Sequence, residues 1–159
     1  MNTSAVIVCA GNSTRMGGVN KILMPLGEGV VIGQTMKAFE ETPEIKEIII
    51  VAREDDFPAI ENEAKRAGIT KFVKCVAGGS TRQESVINGI RCISQETELI
   101  AVHDGARPLV KPCHISKAVK DALVFGGAAL GVPVKDTIKV VDSGLVVDTP
   151  PRKNLYITQ

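Results

Sequence analysis

The chain has 159 residues, enough for one domain with a buried core, and its 19 Lys and Arg against 18 Asp and Glu leave a net charge of +1. There is no basic run, and four Phe, one Tyr and no Trp make a poor stacking surface, so neither double-stranded nor single-stranded nucleic acid is an expected partner. Cys9, Cys75, Cys92 and Cys113 are widely spaced, with no Cys-x-x-Cys and no His at a metal-ligand interval, which predicts reduced thiols rather than zinc or disulfides. No apolar run approaches the ~20 residues that cross a bilayer and no signal pattern opens the chain, so the expectation is a soluble, cytoplasmic protein with no membrane contact.

In chain order, Ala5-Val6-Ile7-Val8-Cys9 reads as a buried strand that breaks into Ala10-Gly11-Asn12-Ser13-Thr14-Arg15-Met16-Gly17-Gly18-Val19-Asn20-Lys21. A short extended piece at 22–27 follows. A helix over 31–40 places Ile32, Met36 and Phe39 on one face and ends before Thr42-Pro43. The β-branched run at 47–52 predicts a strand covered on both faces. Asp55-Asp56 precede a helix with Pro58 in its first turn, a stripe of Phe57, Ile60, Ala64 and Ala67, and a stop at Gly68.

The segment 72–76 is a third strand, and Gly78-Gly79-Ser80-Thr81-Arg82-Gln83-Glu84-Ser85 opens a helix. Ser80 with Gln83, or Thr81 with Glu84, makes a capping box, and Val86, Ile87, Ile90 and Ile93 are the expected buried stripe. A fourth strand over 98–102 runs directly into His103-Asp104-Gly105-Ala106-Arg107-Pro108. Pro112 starts a helix with Ile115, Ala118, Val119, Ala122 and Leu123 inward, stopped by Gly126-Gly127. Residues 128–134 read as a small-residue strand. Two alternating runs around Asp142-Ser143-Gly144 predict a β-hairpin over 136–149, an apolar arm with no core of its own and so in want of a partner.

Strands alternating with helices predict an α/β protein with a doubly wound, mostly parallel sheet and a projecting hairpin. Ligands bind beyond the carboxyl ends of such strands, where the loops 10–21, 78–85 and 103–108 fall. The first is neither a Walker A loop nor Gly-x-Gly-x-x-Gly, which removes the main sequence support for a dinucleotide reductase. Its glycines suit a structural turn or a phosphate bed, and Arg15 and Lys21 beside them favour phosphate. Gly78-Gly79 is either a turn before a cap or a place where backbone approaches a flat base, with Ser85 one turn on. Asp104 is either a turn former or a carboxylate facing Mg²⁺, ribose or a substrate hydroxyl. His103 reads as a packed strand-end histidine and His114 as solvated. Together the loops suggest a nucleoside triphosphate with a second, anionic substrate that attacks phosphorus directly, because no serine–histidine–acid arrangement presents itself.

Ala10-Gly11-x-x-x-Arg15-Met16-Gly17 with Lys21, Gly78-Gly79 with Arg82-x-x-Ser85-Val86, Val102-His103-Asp104-Gly105-Ala106-Arg107-Pro108 and Val134-x-Asp136-Thr137 occur in this order. In this the chain resembles the 2-C-methyl-D-erythritol 4-phosphate cytidylyltransferases of isoprenoid precursor synthesis by the non-mevalonate pathway, from residue 4 to the last residue. The resemblance implies a Rossmann-like nucleotidyltransferase domain over 1–159, transfer of CMP from CTP to methylerythritol phosphate with release of pyrophosphate, and Mg²⁺ held mainly by the CTP phosphates. It implies that Arg15 and Lys21 are catalytic, and that Ala10, Gly11, Gly79, Ser80, Ser85, Asp104 and Ala106 bind the nucleotide. Asp104 and Arg107 would face the acceptor. A dimerisation arm at about 136–155 would carry Thr137 and Arg152 into the partner's acceptor site in a homodimer.

Two departures stand out. Ser13 occupies a position where the family commonly has a further glycine, and the chain stops at Tyr156-Ile157-Thr158-Gln159 where family members continue. The expectation is therefore a domain lacking its carboxyl-terminal part, in which binding outlasts turnover. The alternatives are a ribitol-5-phosphate cytidylyltransferase, which would share the loops and differ at the arm, and a non-catalytic nucleotide-binding fragment.

Overall fold

A computed structural model describes residues 2–11 and 20–158. The central sheet has four strands in the order β5-β4-β1-β6, formed by β1 (Thr3–Val8), β4 (Ile45–Ala52), β5 (Phe72–Ala77) and β6 (Leu99–Asp104). All three pairings are parallel, and β1 is central, with Val6 opposite Ile49 on one side and Val102 on the other. Strand register explains why the apolar runs are continuous. Ala5, Ile7, Ile48, Ile50 and Ala52 face the cluster built by Ile32, Met36 and Phe39 of α1 (Val31–Glu40), Ile60 and Ala64 of α2 (Phe57–Arg66), and Ile115 and Val119 of α4 (Pro112–Phe125). On the other face, Val6 and Val51 meet α3 (Arg82–Ile90). Both faces of β1 and β4 are thus covered, while Ile100 and Val102 of β6 remain 42% exposed on the α3 side.

The α3 contact differs from the sequence expectation. Its buried residues are Ser85 and Gly89; Ile87 is exposed, and Val86, Ile90 and Ile93 are only half-buried. A Cβ on Gly89 would sit 2.5 Å from Val6 Cγ1 and 2.8 Å from Val51 Cγ2. Close approach to a surface of valines therefore selects the smallest residue on the helix, not the bulkiest. Leu123, expected inward on α4, is 53% exposed for its part, while Ile115 and Val119 are buried.

Two other segments depart from expectation. The piece at 22–27 is not simply extended: a 3₁₀ turn at Lys21–Leu23 leads into a two-residue ladder of β2 (Pro25–Leu26) with β3 (Gly29–Val30). The predicted strand at 128–134 shortens to β7 (Gly131–Pro133) and pairs antiparallel with β10 (Tyr156–Thr158), apart from the four-stranded sheet. The hairpin forms as expected, from β8 (Val140–Asp142) and β9 (Leu145–Asp148). Its two-residue connection, Ser143 and Gly144, has φ of 48° and 81°, the left-handed pair of a type I′ turn that matches strand twist. Every residue of both strands is exposed, and they pair only with each other.

Candidate active site

The three loops converge at the carboxyl ends of β1, β5 and β6. Backbone bonds set their spacing: Cys9 N donates to Val51 O (2.7 Å), Gly78 N to Ala52 O (3.0 Å), and Gly105 N to Val8 O (2.8 Å). Each loop thus leaves its strand from a fixed point. A Cβ on Gly78 would collide with Cβ of Ala10, so the second loop abuts the first only because glycine stands there. The result is a cleft of about 720 Å³ lined by Ala10, Gly11, Asn20, Lys21, Gly79, Ser80, Thr81, Arg82, Ser85, Asp104, Ala106 and Arg107, with Val8, Cys9 and Ile22 at its floor.

The wall at α3 is held by its own cap. Thr81 Oγ1 accepts from Glu84 N (3.1 Å), one half of the predicted capping box, while Glu84 Oε2 accepts from Ser80 N (2.7 Å) and Ser80 Oγ (2.6 Å) rather than from the Thr81 amide. Ser85, 3% exposed, donates to Thr81 O (2.9 Å) and accepts from Gly79 N (3.0 Å). The buried hydroxyl therefore fixes the Gly79 backbone. These bonds hold the Glu84 carboxyl below its ordinary range, the Ser80 hydroxyl first among them.

Opposite, Asp104 takes two arginines. Arg82 donates through Nη2 (2.9 Å) and Nε (3.2 Å) to Oδ1, and Arg107 through Nε to Oδ2 (3.2 Å). Burial alone would raise the Asp104 carboxyl, but the Arg82 and Arg107 guanidiniums outweigh it and keep the group ionised. Arg82 is a residue that the sequence reading did not assign to the site. Its only sequence signal was its place in the motif with Ser85. Among the described residues Lys21 has no ion-pair partner, so its charge is available to an anion in the cleft.

Of the expected site residues, Ala10, Gly11, Lys21, Gly79, Ser80, Ser85, Asp104, Ala106 and Arg107 line this one cleft. Arg15 lies outside the described residues. Thr137 and Arg152 do not line it; both are exposed, and Arg152 Nη1 donates to Lys135 O (2.7 Å), bracing the base of the arm. His103 is the packed histidine expected: its ring stacks at a tilt on Phe39, 5.2 Å between centroids, and Nε2 lies 3.1 Å from Arg107 O. Burial holds its imidazole below the ordinary value. Desolvation pushes the Cys9 thiol, at the cleft floor, up to about 12, which leaves it protonated and a poor nucleophile. No described helix is long and apolar enough to cross a membrane.

A parallel α/β sheet with a glycine-bedded, cation-lined cleft at its strand ends defines a protein of the nucleotide-binding α/β class. Comparison with known proteins narrows this. Residues 3–159 match the family described as 2-C-methyl-D-erythritol 4-phosphate cytidylyltransferase. Proteins of that name from Caldanaerobacter subterraneus and Geotalea uraniireducens are 45% and 37% identical over 162 and 163 residues; all of this chain aligns, against 71% and 70% of theirs. The crystal structure of 4-diphosphocytidyl-2C-methyl-D-erythritol synthase from Anaerococcus prevotii superposes with a TM-score of 0.85 at 30% identity, over 99% of this chain and 66% of that one. The chain belongs to the 2-C-methyl-D-erythritol 4-phosphate cytidylyltransferase family, a family of nucleotidyltransferases, and spans about 70% of the length of the curated relatives it matches.

Proposed function

We propose that this cleft binds CTP and transfers CMP to 2-C-methyl-D-erythritol 4-phosphate, releasing pyrophosphate for isoprenoid precursor synthesis. The observation that carries the reading is the gathering of three sequence-distant loops, one with a cation that has no ion-pair partner among the described residues, one with a backbone-approach wall and one with an arginine-held carboxylate, around one cleft. In this reading a phosphate oxygen of the acceptor attacks the α-phosphorus. A P–O bond forms as the bond to the β-phosphate breaks, and pyrophosphate carries away the electron pair. No protein nucleophile is needed, so catalysis is positioning and charge neutralisation.

Lys21, with Arg15, neutralises the charge that builds on the α-phosphate, while Ala10 and Gly11 bed the triphosphate. Gly79, Ser80 and Ser85 read the cytosine edge. Asp104 and Ala106 meet the ribose, and Asp104 with Arg107 faces the acceptor. Among the described residues no three His, Cys, Asp or Glu gather into a metal cage, and Asp104, the carboxylate that lines the cleft, already has both oxygens on arginine. That donor set suits Mg²⁺ arriving on the triphosphate as part of the substrate. The exposed apolar arm, with Val141, Leu145, Val146 and Val147, fits a homodimer in which Thr137 and Arg152 reach the partner's acceptor site. A cytoplasmic location belongs to the same reading.

The test is a thermal-shift panel with Mg²⁺ and CTP, UTP, ATP, GTP or NAD. Ligand at 100 times its dissociation constant adds about 2.7 kcal/mol to the folded state. A shift selective for CTP is expected, followed by pyrophosphate release with methylerythritol phosphate; no CTP preference in a folded sample refutes the base-reading assignment.

A further inference from the structure

We infer that Asp56 and Arg53, which line no part of the cleft wall described above, are positioning residues for its phosphate side, acting through Asn20 on Lys21; this rests on the nucleotide reading of the cleft. Asn20 directly precedes Lys21, and both line the cleft. Its Nδ2 donates to Asp56 Oδ1 at 2.7 Å, across 36 residues of sequence. Its carbonyl accepts from Leu23 N (3.2 Å) and so opens the 3₁₀ turn that carries Lys21, and the next residue, Ile22, is buried in the core. The Asn20 side chain and carbonyl therefore pin the start of the turn that carries Lys21, and Met24 N closes its far side on Lys21 O (3.3 Å).

Asp56 is itself held. It is 5% exposed, and Arg53 grips both of its oxygens, Nε to Oδ2 at 2.9 Å and Nη2 to Oδ1 at 3.2 Å. Asp56 N also donates to Arg53 O (3.0 Å), closing the turn between β4 and α2. Arg53 is the residue directly after Ala52, whose carbonyl anchors Gly78. One point at the end of β4 thus sets both the Gly78 loop and, through Arg53, Asp56 and Asn20, the Lys21 turn. The arrangement also has the right charge. A carboxylate near a phosphate site would repel the ligand, but here guanidinium neutralises it and the neutral amide of Asn20 is what reaches the cleft.

Removing one partner frees the Lys21 turn without removing Lys21. Weakening one charge-assisted contact to phosphate costs on the order of tenfold in affinity. Titration of MgCTP into the wild-type chain, Asn20→Ala, Asp56→Ala and the double variant, each first checked for a cooperative unfolding transition, tests this. Each single variant is expected to weaken MgCTP about tenfold, and the double variant no more than the weaker single, because both cut one relay. A role for Asp56 in folding alone would lower Tm and leave the affinity of the folded protein unchanged, which overturns the inference. Losses that multiply in the double variant also overturn it. Should Asp56→Ala not fold, Asn20→Ala against Asn20→Ala with Arg53→Met gives the same comparison. A wild-type chain that binds no MgCTP overturns the nucleotide reading and this inference with it, whereas tight wild-type binding with an unaffected Asp56→Ala overturns the relay alone.

Discussion

Replacing Gly89 by alanine sets two opposed effects against each other. In a helix interior alanine is preferred to glycine by about 1 kcal/mol, so propensity alone predicts a more stable protein. The new methyl, however, would lie 2.5 Å from Val6 Cγ1 and 2.8 Å from Val51 Cγ2, and both valines are fully buried in adjacent central strands. Neither is the far end of a flexible chain, so α3 must lift from the sheet or the valines must leave their rotamers. Overpacking of this kind costs about 1–3 kcal/mol. Overpacking less the propensity gain leaves a loss of up to about 2 kcal/mol, centred on about 1 kcal/mol, a fall in Tm of about 2–4 °C for a domain of this size. Because Ser85 lies one turn away on the same buried face and holds the Gly79 amide, lifting α3 also loosens the nucleotide wall. Urea unfolding and MgCTP titration of Gly89→Ala are the assays. A variant at least as stable as wild type, with unchanged affinity, would refute the account of how α3 is seated.

Lys21→Ala is expected to lower turnover by orders of magnitude at nearly unchanged Tm, since Lys21 faces the cleft rather than the core; an unchanged rate removes it from the mechanism. Arg82→Ala should leave folding nearly intact, because the pair is largely exposed, yet lower affinity for the acceptor by freeing Asp104; this is read as KM for methylerythritol phosphate. Acid sensitivity follows from Glu63, a buried carboxylate that accepts from Arg66 and from Val30 N. The Arg66 hydrogen bond, foremost, holds its folded value below the ordinary 4.5 against the upward push of burial. Its contribution is therefore full above the unfolded value and fades as pH falls through the folded one. Glu63→Gln should lose stability at neutral pH and converge with wild type in acid; a constant gap across the titration contradicts the linkage. Finally, chains carrying Thr137→Ala and Arg152→Ala, mixed with Lys21→Ala chains, should recover activity through shared sites, and no recovery means that the arm does not serve a partner.

The parts legible in the sequence were those fixed by local chemistry. The continuous run at 47–52 demanded cover on both faces, Asp142-Ser143-Gly144 demanded a tight hairpin, and Thr81 with Glu84 marked a helix start. That the three loops share a cleft was legible too, because connections after the strands of a doubly wound sheet meet at the carboxyl ends. What escaped was set by fit and by long-range pairing. Hydropathy ranked Ile87 above Gly89, but the sheet beneath α3 left no room for a side chain. The segment at 131–133 looks like any small-residue strand, and its partner at 156–158 is a choice made across more than twenty intervening residues.

Arg82 and Asp56 escaped for a related reason, and it bears on how such sites are built. In sequence each is a charge near a helix start, which ordinarily means a solvated cap. In the fold, Arg82 meets Asp104 because α3 begins where β6 ends, and Asp56 meets Asn20 because α2 begins beside the exit of the glycine loop. Both are consequences of the parallel order β5-β4-β1-β6: the connections after all four strands leave from one rim, and charges at that rim pair with one another. A parallel sheet so arranged supplies its catalytic loops with supporting side chains from neighbouring connections. Arg53 and Asp56, just after β4, are thus tied by hydrogen bonds to Asn20 beside Lys21, although no substrate-facing pattern marks them.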